Sequence, residues 1–250
     1  MPDDHDDQAH RTQPVDIRLS RRVLAVIGSV LLLAAATVLA NRVLPGWAYP
    51  VCGVVTAAAL IAVARFSGLR LTSIGLGKHT LGRAAAIGLV GAGLVGLVFA
   101  VALAVPGLRT FFEDGRVGTP GIGQLLWLAL LRIPLGTVLL EEVAFRGVLP
   151  ALLGAGERWR WTPILGAATL FGLWHLLPSL ALIRNAAVNA TVGGLPLPLI
   201  SVLAMVAAAG AGVFLYWWRH WGKGVLAPAL LHCATNSGGL IIAWWVVSHP

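Results

Sequence analysis

The chain has 250 residues and a formal net charge of +8, with 58% hydrophobic and only 11% charged residues; its mean hydropathy is +0.84. A soluble globular domain carries about 25% charged residues, so the composition excludes an ordinary soluble fold and points to an all-α, polytopic transmembrane bundle. Nucleic acid is excluded as a partner despite the basic balance, because the Lys and Arg residues sit in short connections between apolar runs, as the positive-inside pattern requires.

Residues 1–20, MPDDHDDQAHRTQPVDIRLS, form a polar, Asp-rich tail that reads as disordered and cytoplasmic. His5 and His10 belong to that solvated tail rather than to a metal site. The apolar run after Arg21 and Arg22 lacks a clear cleavage site, so it reads as a retained first helix.

A crossing needs about 20 apolar residues, and seven candidates follow in order: 23–44, 48–66, 84–105, 122–153, 162–182, 198–218 and 224–247. The fourth is long and interrupted at Pro134; split there, it would give eight crossings. Residues 21–118 form an N-terminal set of helices and 119–250 a catalytic region. The stretch IRNAAVNATVGGLPLP resembles a loop or re-entrant turn. Small residues in GLVGAGLVG (88–96) suit close helix packing. Trp217, Trp218, Trp221, Trp244 and Trp245 cluster at span ends as an interfacial belt. Arg132 reads as a snorkelling side chain. Cys52 and Cys233 fall inside spans, with no spacing that suggests a disulfide or a zinc site.

Alternate connections differ in charge. Arg18, Arg21 and Arg22, then Arg65, Arg70, Lys78 and Arg83, then Arg158 and Arg160, then Arg219 and Lys223 form the richer set. That set belongs in the cytoplasm, which places the N-terminus inside and the C-terminus outside an inner or plasma membrane.

Against this apolar background, Glu141, Glu142 and Arg146 stand inside LGTVLLEEVAFRGVLPALL. Ionised groups at membrane depth cost a few kcal/mol or more and usually face a bundle interior or a wet cavity. Two further clusters follow: FGLWH sets Phe171 and His175 four residues apart, and LHCATN does the same for His232 and Asn236, so each pair shares a helix face. At roughly 1.5 Å per residue, Glu141, His175 and His232 all lie about 12–20 Å from the basic face. Three helices thus deliver a carboxylate and two imidazoles to one depth.

Glu142 and Arg146 are placed for an intrahelical ion pair, and Glu141, turned by about 100°, for a different partner. A desolvated glutamate beside a histidine is suited to taking a proton from water. His175 could hold that water, while His232 and the Asn236 amide could donate to the oxyanion formed at a carbonyl.

The ordered trio EEVAFR, FGLWH and HCATN resembles the motifs of the CPBP intramembrane proteases, the type II CAAX prenyl endopeptidases and their bacterial Abi relatives. The resemblance covers about residues 120–240. It implies an endopeptidase, often labelled a metalloprotease, that cuts a peptide or membrane-anchored protein at the bilayer, its site opening toward the cytoplasm. Glu141 and His175 would activate water; His232 and Asn236 would form the oxyanion site. No cofactor is expected, since no HExxH helix is present; if zinc is used, Glu141, His175 and His232 are the candidate ligands. Two other classes compete: a proton-coupled transporter, for which no inverted hydropathy repeat is visible, and a catalytically silent scaffold or bacteriocin-immunity-type protein.

Overall fold

The computed structural model describes residues 17–249; the tail histidines His5 and His10 lie outside that range. Among the described residues the fold is helical, with a single isolated β-bridge between Asp114 and Asn185. Six helices are long and apolar enough to cross a membrane: α1 (Arg21–Val43), α2 (Gly46–Phe66), α3 (Lys78–Ala104), α4 (Ile122–Leu152), α8 (Leu197–Gly222) and α9 (Leu226–Ser248). A bent pair, α5 (Trp161–Trp174) and α6 (Leu176–Arg184), with 47° between its halves, is a broken span or a re-entrant loop, so the count is six crossings or seven. The segment expected as a loop contains a short helix, α7 (Ala186–Val192), capped by the Asn185 side chain, which accepts from the Val188 N–H.

The fourth crossing does not divide at Pro134, so the eight-span alternative is not what forms. The helix widens into a π stretch over Leu128–Val138 and runs on. In i→i+5 bonding, position 134 would donate to the Ala129 carbonyl, and proline has no N–H to give. Ser237 of α9 fills that role, its Oγ donating to Ala129 O at 2.7 Å. The proline's missing bond is thereby converted into a tie between α4 and α9.

The alternating connections gather on two opposite faces. On the basic face, Val225 N donates to Gly75 O, and Arg219 donates to Ser73 O and Gly156 O. On the other, Asn185 donates to Phe111 O and Arg109 to His249 O.

Inside a bilayer, close packing replaces water exclusion as the force between helices. Leu60 and Ala64 of α2 meet Ala144, Val148 and Leu149 of α4 in the central cluster, while Leu31 and Leu97 stay exposed to the surroundings. A Cβ on Gly53 would meet the Leu135 carbonyl oxygen at 2.6 Å, so only glycine lets α2 approach α4 there. Half of the small-residue run on α3 works the same way: Gly88 and Gly91 seat against Leu230 and Trp218, whereas Gly93 and Gly96 face open space. Arg132 lays its guanidinium over the Tyr49 ring, 4.2 Å from its centroid. Cys52 and Cys233 are both free thiols.

Candidate active site

The motif on α4 after Glu141 lies in a π stretch, Glu142–Val148, and the end of the α9 motif lies in another, Ala234–Gly238. Such widened turns re-aim side chains relative to a regular α-helix and recur at functional sites. Glu141, Glu142, Arg146 and His232 are all buried, at 5%, 1%, 0% and 8% exposure. Four ionisable groups cannot be taken from solvent separately, so they must neutralise one another.

Their contacts show how. The Glu142 Oε1 atom lies 2.7 Å from His232 Nδ1 and 3.1 Å from Arg146 Nη1. The arginine approach is an ionic contact rather than an aligned hydrogen bond, since the guanidinium nitrogens find no acceptor in good geometry. The guanidinium is also packed against Phe171, with Cζ 3.9 Å from the ring centroid. The expected Glu142–Arg146 pair therefore forms, and it acquires His232 as a third member.

Glu141 does face elsewhere. Its Oε1 accepts from Trp174 Nε1 at 2.9 Å, and its Oε2 has no hydrogen-bond partner but lies 3.9 Å from His232 Nε2. His232 Nε2 also sits 3.1 Å from Asn236 Nδ2. Both His232 contacts are satisfied when Nδ1 carries the proton, donates it to Glu142, and leaves Nε2 to accept from the Asn236 amide.

His175 occupies the break between α5 and α6. Pro178 explains the break: it cannot donate to the Trp174 carbonyl, and its ring clashes with that oxygen. The His175 and Phe171 rings meet at 4.5 Å, and Nδ1 donates to Phe171 O at 2.8 Å, which leaves Nε2 as the acceptor. Among the described residues no hydrogen bond joins His175 to Glu141.

His175, His232, Thr235 and Asn236 form the polar end of a cavity of about 540 Å³ between α3, α5, α8 and α9. The rest of its wall is apolar, and its exposed members Leu94, Val98 and Phe214 lie along the flank between α3 and α8. Trp218, donating to Ile87 O at 3.1 Å, holds those two helices together at the basic end.

Two participants stand beside the motif positions rather than at them. Trp174 lies inside FGLWH, beside the histidine that draws attention, and its indole N–H is what orients Glu141. Ser237 follows the last motif residue directly and fixes α9 against α4. Among the described residues no three His, Cys, Asp or Glu side chains converge as metal ligands. The alternative zinc set of Glu141, His175 and His232 is not assembled: the Nε2 of His232 is engaged by Asn236, and Glu141 Oε1 by Trp174.

Comparison with curated proteins and with solved structures gives no match in either set. Residues 123–238, which contain every one of these polar positions, match the model of a family described as Type II CAAX prenyl endopeptidase Rce1-like, so this region is similar to that family.

Proposed function

We propose that the protein hydrolyses a peptide bond of a membrane-associated substrate with Glu141 as the base, without a metal. The observation that carries this reading is the Glu141 carboxylate, anchored through one oxygen by Trp174 and carrying a second, unpartnered oxygen 3.9 Å from His232. A water between Oε2 and the imidazole gives its proton to Glu141 as its oxygen attacks the substrate carbonyl. The C–N bond then breaks, and Glu141 returns the proton to the leaving amine.

Glu142 and Arg146 act through His232 rather than on substrate. Glu142 accepts from the His232 Nδ1–H and so holds the ring with Nε2 toward the Asn236 amide, which donates one N–H to it. The second amide N–H of Asn236 is then free for the oxyanion. His175, its Nδ1–H committed to Phe171 O, offers Nε2 to the water or to a substrate N–H. The apolar wall leading to Leu94, Val98 and Phe214 suits an apolar substrate end arriving from the bilayer flank. The charge asymmetry of the connections supports a cytoplasmic basic face.

The test is to incubate purified protein in lipid with a library of membrane-anchored peptides, beside Glu141→Gln and His175→Ala variants. Fragments made by wild type and lost in Glu141→Gln support the reading. Identical fragment patterns from all three overturn it, and a proton-coupled carrier would yield no fragments.

A further inference from the structure

A second cavity, of about 410 Å³, opens on the basic face and shares no lining residue with the cavity of the candidate active site. It is enclosed by the α2–α3 connection, the α4–α5 connection and the end of α8. Arg158, Arg219, Lys223, His79 and His220 line it, with Thr72, Thr80 and a single carboxylate, Glu157.

Arg219 is the telling member. It is buried at 4% exposure, and among the described residues no carboxylate lies within ion-pair distance of it. Its Nη1 and Nη2 donate to Gly156 O at 3.2 Å and Ser73 O at 2.9 Å, while its Nε has no hydrogen-bond partner. Backbone carbonyls fix the guanidinium but do not neutralise it, the Glu157 carboxylate in the same cavity lies beyond ion-pair distance, and a buried cation without a contact counter-ion is costly. Five basic side chains against one carboxylate leave the cavity suited to an anion.

The neighbouring surface narrows the source of that anion. His220 also lines an adjoining apolar groove of about 610 Å³ built by Trp159, Trp161, Val213, Phe214 and Trp217. A basic cavity and an aromatic groove joined at one residue, at the interfacial end of a crossing helix, match the two halves of a lipid. We propose that this surface binds an anionic phospholipid, with its phosphate in the basic cavity beside Arg219 and an acyl chain along the groove.

The test uses the full-length protein in nanodiscs of phosphatidylcholine, with and without phosphatidylglycerol, and in detergent with inorganic phosphate. Thermal unfolding and native mass spectrometry are the readouts. Phosphatidylglycerol should raise the melting temperature and remain bound, and Arg158→Ser/Lys223→Ser should weaken its retention by about tenfold or more. Arg70→Ser/Lys78→Ser removes the same charge from the same face outside the cavity and should leave retention near wild type. Trp161→Ser should weaken phosphatidylglycerol but not inorganic phosphate. Equal stabilisation by phosphate alone, with no advantage of phosphatidylglycerol over phosphatidylcholine, would overturn the lipid in favour of a soluble phosphate. An equal loss in both double variants would reduce the site to diffuse surface charge.

Discussion

Glu142 on the fourth crossing and His232 on the last are joined at 2.7 Å through Oε1 and Nδ1, in surroundings that exclude bulk solvent. The same oxygen contacts Arg146, so one carboxylate oxygen balances a guanidinium and fixes a histidine. Breaking a buried pair by removing one partner costs about 3–5 kcal/mol, whereas replacing the whole pair by apolar groups is often near neutral. Glu142→Leu should therefore lower the melting temperature strongly, and Glu142→Leu/Arg146→Met should recover much of the loss. Activity should stay lost in both, because His232 Nδ1 still lacks its acceptor. Recovery of cleavage in the double variant would show that Glu142 serves Arg146 alone.

Trp174 offers a finer separation. Its Nε1–H holds Glu141, while its ring packs beside Phe145 with centroids 5.9 Å apart. Trp174→Phe keeps most of the ring and deletes the donor. A hydrogen bond to a charged group contributes about 1.5–3 kcal/mol, so the cleavage rate should fall by about tenfold to a hundredfold. The fall should appear in kcat rather than in KM, since the indole orients the base and does not line the substrate cavity. An unchanged kcat would detach Trp174 from the chemistry.

The helical crossings and the approach of Glu141 to His232 were legible because bilayer thickness converts residue counts into position. The partners at that depth were not. A regular α-helix places side chains by a fixed rotation, but Glu142–Val148 and Ala234–Gly238 are π-helical, and the widened turn changes which groups meet. His175 was legible as a residue, but the break in its helix was signalled only by Pro178, three positions on. The α7 helix was hidden by its turn-forming residues, although Asn185 is a good cap for it.

The bond from Ser237 to Ala129 makes Pro134 tolerable, which gives a double-variant test. Ser237→Ala leaves a buried carbonyl without a donor and should cost about 1–3 kcal/mol. In Pro134→Ala the restored backbone N–H can serve that carbonyl from within α4. Ser237→Ala should then cost much less in the Pro134→Ala background, a coupling read from thermal unfolding of the four proteins. Equal costs in both backgrounds would mean that the serine and proline act independently.

On the face opposite the basic connections, Asp114 pairs with Arg116 and bridges toward Asn185. Burial alone pushes the Asp114 carboxyl up, but the hydrogen bonds and charge of Arg116 outweigh it and hold the group below its ordinary range. A carboxyl held low in the folded protein stabilises fully above its unfolded value of about 3.9 and loses that contribution as pH falls through the folded value. Hydrogen exchange in residues 110–118 and 182–192 should stay slow at neutral pH and rise only below about pH 4. Asp114→Asn should show fast exchange already at neutral pH. A wild-type rise centred near pH 6 would assign the ordering to another group.

Metal dependence follows from which lone pairs are free. His232 presents Nδ1 to Glu142 and Nε2 to Asn236, and Glu141 Oε1 is held by Trp174. An ion bound by Glu141, His175 and His232 would have to displace the Asn236 amide and draw in His175, whose Nδ1 is tied to Phe171 O. Zinc needs ligand nitrogens and oxygens at about 2.0–2.2 Å, so this rearrangement would break the His175–Phe171 and His232–Asn236 contacts. Cleavage should accordingly persist after prolonged chelation, and added zinc should neither raise the rate nor the melting temperature. Activity abolished by chelator and restored by zinc would overturn the metal-free mechanism, and Asn236→Ala would then bind zinc more tightly by freeing the His232 lone pair.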